Sequence, residues 1–127
     1  GELLQAKAAK PRHIFIFQHH PWFVENPAEA DSYHNVPLAT RKHCLKLLQD
    51  AGVVRATFAG HLHRTAQGRC GGMEMVTTGP VGKPLGNDPS GLRVVWVFDD
   101  RIEHRYYGLD EVPRSIGARG PAKTKRL

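Results

Sequence analysis

Three consecutive stretches of this 127-residue chain predict an α/β fold. Residues 13–18, His-Ile-Phe-Ile-Phe-Gln, form a β-branched and aromatic run; residues 38–51 repeat apolar side chains at helical spacing; residues 53–59 form a second apolar run. Strand, helix and strand in that order make a βαβ unit, whose two strands run parallel. Their C-terminal ends therefore share one edge of a sheet.

Each element has a local reason. Residues 1–9, with Leu3, Leu4, Ala8 and Ala9, read as the last turns of a helix that stops before Pro11 and whose first turns are expected upstream of Gly1. The unbroken apolar run at 13–18 reads as an interior strand covered on both faces, and it ends at His19-His20-Pro21. Residues 22–36 turn polar, with Glu25, Glu29, Asp31 and Pro27, and predict a long loop suited to recognition. Leu38, Cys44, Leu45 and Leu48 then line one helical stripe, Arg41, Lys42 and Lys46 lie elsewhere, and Gly52 is placed as the C-terminal cap. The second strand ends at Gly60-His61-Leu62-His63. Beyond it, residues 73–78 read as a strand, 79–91 as a Gly/Pro-rich loop, and 92–98 with 101–107 as a hairpin turning at Asp99-Asp100. This second half is expected to be antiparallel.

Composition excludes several classes of function. With 40% hydrophobic and 24% charged residues the chain has a globular balance. Its longest apolar run, residues 94–98, is far short of the roughly 20 residues a membrane-spanning helix needs. The net charge of +6 includes Arg114, Arg119, Lys123, Lys125 and Arg126, all beyond Pro113 with no acid among them, which leaves +1 on residues 1–112. Residues 113–127 read as a solvated, disordered basic tail, and no aromatic side chain interleaves its charges to stack on bases, so nucleic acid is not an expected partner. Cys44 and Cys70 allow at most one disulfide, and a reducing, cytoplasmic setting is the default.

The chemistry concentrates in histidine. Three of the eight histidines, His19, His61 and His63, occupy the ends of the two parallel strands, which lie about 4.8 Å apart when adjacent. In an extended segment His61 and His63 point the same way while Leu62 returns to the core, and Gly60 lets the backbone pass close to the site. Convergent neutral imidazoles suit zinc, iron or manganese. His13, His34, His43 and His104 have no convergent partner and read as surface or structural residues. Cys44, His61, His63 and Cys70 lack the paired spacing of a structural zinc site, residues 79–83 lack the spacing of a phosphate loop, and no G-x-S-x-G elbow is present.

On these residues the chain resembles the calcineurin-like metallophosphoesterases. Gly60-His61-Leu62-His63 is similar to the family's last signature and His19-His20-Pro21 to the histidine signature that precedes it. Gln18-His19-His20-Pro21, Gly60 to Arg64, and the segments 91–95 and 104–107 extend the likeness to the family's cytoplasmic serine/threonine phosphatases over most of residues 10–112. The resemblance implies the C-terminal part of a four-layer αββα sandwich over residues 1–112, and a hydrolase in which two divalent cations of the iron, zinc or manganese class clamp a phosphate about 4 Å apart. It implies His19 and His61 as ligands of one ion and His63 of the other. His20 would touch the phosphate or serve as leaving-group acid, and a phosphoprotein, an AKT-type kinase, would be the substrate.

The family's aspartate signature, its G-D-x-x-D segment and its G-N-H-[DE] segment do not occur in these 127 residues. Neutral imidazoles alone leave two dications uncompensated and unbridged. The chain thus reads as part of a larger enzyme, with the missing N-terminal half of the domain as its partner. Inactivity of the isolated chain as a metal- or partner-binding fragment, or phosphodiesterase action on nucleotides, are the alternatives.

Overall fold

In a computed structural model that describes residues 1–121, the chain runs through α1 (Glu2–Ala8), β1 (Ile14–Gln18), α2 (Leu38–Ala51), β2 (Val54–Ala59), β3 (Ala66–Cys70), β4 (Met73–Thr77), β5 (Gly91–Val97), β6 (Ile102–Gly108) and a 3-10 turn at Leu109–Glu111. The first four strands form one mixed sheet in the order β1-β2-β4-β3, and β5 and β6 form an antiparallel hairpin. β1 and β2 pair in parallel, as the βαβ pattern predicts.

Helix α2 begins at Pro37, whose side chain cannot cap it, and Asp31 Oδ1 accepts the Leu38 N–H at 2.6 Å instead. It ends at Gly52, whose φ of +74° only glycine adopts without penalty. Leu45, Leu48 and Ala51 of α2 pack with Val54, Met73, Met75 and Phe23 to make the larger core. Ala56, Phe58 and Val76 form a second cluster, covered by Phe15, Val95 and Ile102, so the mixed sheet carries α2 on one face and the hairpin on the other.

Four expectations are corrected. β1 is an edge strand and not an interior one, and Phe17 is 77% exposed although its ring stacks on Phe58 at 5.5 Å. An apolar run reports what a strand is made to be covered by, and nothing in the described residues covers Phe17. β4 pairs in parallel with β2 as well as antiparallel with β3, so the second half is not wholly antiparallel. β3 is an additional strand, polar in composition, that exists because the Gly71-Gly72 turn folds Ala66–Cys70 back along β4. Gly60 serves no close approach, since a Cβ there would meet nothing within 4 Å.

The Asp99-Asp100 turn is present, with the Phe98 N–H donating to Arg101 O at 2.9 Å. Of the basic tail, Gly117 O accepts the Trp96 indole N–H at 2.7 Å, and residues 122–127, with Lys123, Lys125 and Arg126, lie outside the described residues. Among the described residues no helix is long and apolar enough to cross a membrane, and both cysteines are free thiols.

One packing contact gives a test of this arrangement. A Cβ on Gly68 of β3 would stand 2.6 Å from Phe23 Cε2, and Phe23 is 1% exposed. Gly68→Ala is expected to lower stability by about 1–3 kcal/mol in urea unfolding, because the Phe23 ring has no free space to retreat into.

Candidate metal centre

The parallel pairing of β1 with β2 sets Gln18 opposite Ala59, and the ladder continues past both strands as the Gly60 N–H donates to His19 O at 3.1 Å. His19 and His61, 42 positions apart, are thereby carried to one point: His61 Nδ1 lies 3.3 Å from His19 Nε2. His20 joins them, its ring 3.8 Å from that of His61 and 5.0 Å from that of His19. These three residues each offer a ring nitrogen within 4.8 Å of the others, and among the described residues no carboxylate joins the group.

The hydrogen bonds fix the tautomer of His61. Its Nε2 lies 3.1 Å from Tyr33 O, and a carbonyl only accepts, so Nε2 carries the proton and Nδ1 presents its lone pair to His19. A ligating histidine that donates its other N–H to a backbone carbonyl is the common arrangement at metal sites. Two nitrogens bound to one tetrahedral zinc-like ion are about 3.3 Å apart, so the His19–His61 pair fits a shared cation.

His63 is held elsewhere. Its Nδ1 donates to Lys83 O at 2.8 Å, the Leu85 N–H donates to His63 O at 2.7 Å, and the ring stays outside the three-histidine group. The expected extended geometry of Gly60-His61-Leu62-His63 gives way to a turn: His61 and His63 have φ of +64° and +52°, and the Leu62 N–H donates to Gly60 O at 2.7 Å. Leu62, 4% exposed, is the buried pivot between them. Each left-handed residue costs on the order of 1 kcal/mol, and such strain gathers where side-chain aim matters more than backbone comfort.

The environment of His20 lowers its pKa below the ordinary imidazole value, through partial desolvation first and then the neighbouring His61 and His19 rings.

Of the other residues the sequence singled out, Trp22 packs against the larger core and Phe23 is buried within it, while Arg64 is exposed. His13 bonds Phe98 O, and His104 bridges Glu74 of β4 and Arg93 of β5, so both tie elements together. His34 comes within 6.1 Å of the His61 ring, ring to ring, and Tyr33 within 4.8 Å. Sequence reasoning missed both as site residues; the loop that bears them was the only signal.

That loop is anchored by charge. The Glu29 carboxylate accepts from the N–H groups of Val24, Glu25 and Asn26 and from Asn35 Nδ2 at 2.6–3.1 Å. Partial burial pushes its carboxyl up, but the Asn35 amide and the three backbone donors outweigh this and hold it at about 2. Arg41 of α2, fully buried, reaches Glu29 Oε1 at 3.6 Å and donates to the carbonyls of Glu29 and Trp22.

Against known proteins the region containing these histidines finds clear relatives. It is 42% identical over 112 residues to the serine/threonine-protein phosphatase CPPED1 of Danio rerio, covering 88% of this chain and 36% of that protein. The Bos taurus CPPED1 is 44% identical over 101 residues, 80% of this chain and 32% of that protein, and the Homo sapiens CPPED1 is 42% identical over 112 residues, 87% and 35%. The chain is homologous to part of the CPPED1 serine/threonine-protein phosphatases. It spans about a third of the length of the CPPED1 proteins it matches. No family model and no solved structure matches it.

The Glu29 anchor makes a pH prediction. Its folded pKa of about 2 lies below its ordinary value of 4.5, so its contribution to stability is present above pH 4.5 and is lost as pH falls towards 2. In urea unfolding followed across that range, Glu29→Gln is expected to lose about 2 kcal/mol at pH 7 and to flatten the acid-dependent loss seen in the wild type.

Proposed function

We propose that this chain supplies the histidine side of a metal-dependent phosphoester hydrolase centre of CPPED1 type, acting on phosphoserine or phosphothreonine in proteins. The observation that carries the reading is the His19–His61 pair, 3.3 Å apart with the His61 proton parked on Tyr33 O, within a region 42% identical to CPPED1 of Danio rerio. The fold supports it: α2, the mixed sheet and the hairpin are the layers expected for the C-terminal part of an αββα metallophosphoesterase sandwich.

His19 Nε2 and His61 Nδ1 would hold one ion. Its counterpart would be held through His63, whose Nδ1–H is committed to Lys83 O and whose Nε2 lone pair is therefore available. A divalent cation bound there polarises a phosphoryl oxygen and lowers the pKa of a bound water. The protein's own contribution is orientation: Tyr33 O and Lys83 O fix the two imidazole tautomers, and the Leu62 pivot fixes their separation. His20, beside the pair, would touch the phosphate as a donor or serve as leaving-group acid. An AKT-type kinase is the phosphoprotein substrate this reading inherits from the family.

Among the described residues imidazoles come together without carboxylates, and neutral ligands do not offset the charge of two dications. The chain by itself therefore holds one ion and turns over no substrate, its hydrolase activity requiring a carboxylate-bearing segment, the N-terminal part of such a domain. Equilibrium dialysis with zinc is expected to give one ion per chain, lost in His19→Ala and His61→Ala, with no aryl-phosphate turnover. Two tightly held ions with turnover would overturn the inactive-fragment reading, and no zinc uptake at all would overturn the metal centre.

A further inference from the structure

We propose that Tyr33 is a substrate-contacting specificity residue of the centre, its ring taking the stretch of polypeptide beside the phosphorylated residue. The inference rests on the hydrolase reading above and deepens it, since it assigns the group that separates a phosphoprotein from a small phosphate ester.

Tyr33 is 79% exposed, yet it stands at the metal cluster. Its ring lies 4.8 Å from the His61 ring and 6.5 Å from that of His20, and its own carbonyl orients His61. Phe17, also exposed, stacks on Phe58 of the neighbouring strand, and no ring contact joins it to the histidines, whereas the Tyr33 ring lies against them.

Both flanks of Tyr33 are pinned. The Ser32 N–H donates to Asn35 Oδ1 at 3.0 Å, the His34 N–H donates to Ser32 Oγ at 3.1 Å, and Asn35 Nδ2 donates to Ala30 O at 3.0 Å and to Glu29. Asn35 is 6% exposed and the Val36 N–H donates to Pro21 O at 3.1 Å, so the loop closes on itself. Arg41 and Glu29 tie that base to α2. This part of the loop is thus held against a rigid frame, with the Tyr33 ring left uncovered at the rim of the cluster.

A tyrosine held this way is a good contact surface for a peptide. It offers a large amphipathic area and has only two side-chain torsions to immobilise. Inorganic phosphate gripped at the histidines has no atoms to lay on the ring, whereas a phosphopeptide has backbone and side chain on either side of its ester. Discrimination follows from the reach of the substrate and not from the phosphate.

Calorimetric titration of the 127-residue chain with zinc alone, then of the zinc-loaded chain with inorganic phosphate and with a short phosphoserine peptide, tests this. Tyr33→Ala is expected to weaken the peptide about tenfold while leaving zinc and phosphate within about twofold, and Tyr33→Phe to stay close to wild type. Because the side chain is exposed, both variants should unfold at the wild-type midpoint. Equal peptide affinity in wild type and Tyr33→Ala overturns the assignment, as does a wild type that binds peptide no more tightly than phosphate, with zinc uptake still supporting the centre. Loss of zinc in Tyr33→Ala would place Tyr33 behind His61 and overturn its contact role. A wild type that takes no zinc fails at the first titration and overturns both readings.

Discussion

The parallel register between β1 and β2 is the constraint on which the rest depends. Gln18 opposite Ala59, extended by the bond from Gly60 N–H to His19 O, fixes where the next residues of each strand emerge. A slip of one residue would turn His19 to the other face of the sheet and separate it from His61. That register is specified by burial on both faces: Ile14 and Ile16 of β1 pack against the core that α2 covers, while Phe15 packs against the cluster beneath the hairpin. The core is thus what sets a 3.3 Å distance between two imidazoles at the sheet's edge.

The loop at 22–36 meets that edge by a different principle. Its first residues, Trp22 and Phe23, pack into the larger core, and the rest is organised by one carboxylate accepting four hydrogen bonds, backed by a guanidinium with no exposure to solvent. Buried ion pairs add little net stability compared with apolar packing, but breaking one is costly, so they suit the fixing of a single conformation. The consequence is a loop whose Tyr33 carbonyl is a dependable acceptor for His61. Hydrophobic burial places the strands and the start of the loop, and charge places the rest of it.

The centre that results is one-sided in its chemistry. Among the described residues imidazoles converge and carboxylates do not, and none of them pairs with the outer edge of β1 or covers the Phe17 ring. His19 and His20 follow directly on that strand. A segment that paired with β1 would cover Phe17 and arrive beside His19, which is where charge-compensating ligands are needed. The CPPED1 relatives, of which this chain matches about a third, are long enough to hold such a segment.

Much of this was legible in the sequence. The period of the apolar residues gave α2 and the parallel pair, Gly52 marked the helix end, Asp99-Asp100 marked the hairpin, and the histidines at the strand ends marked the site. These are local signals, because hydrophobic period and turn chemistry are set by residues a few positions apart. What the sequence could not show was decided over distance. Polar β3 became a strand only because β4 offered it hydrogen-bond partners, with Gly71-Gly72 as the one local hint. His63 parted from His61 because left-handed turns replaced the extended backbone that alternation assumes. Tyr33 and His34 reached the cluster because Glu29 and Arg41 folded a loop without period. Periodicity determined the elements and the end of the sheet where chemistry gathers; hydrogen bonds between residues far apart in the chain decided which nitrogens and which rings meet there.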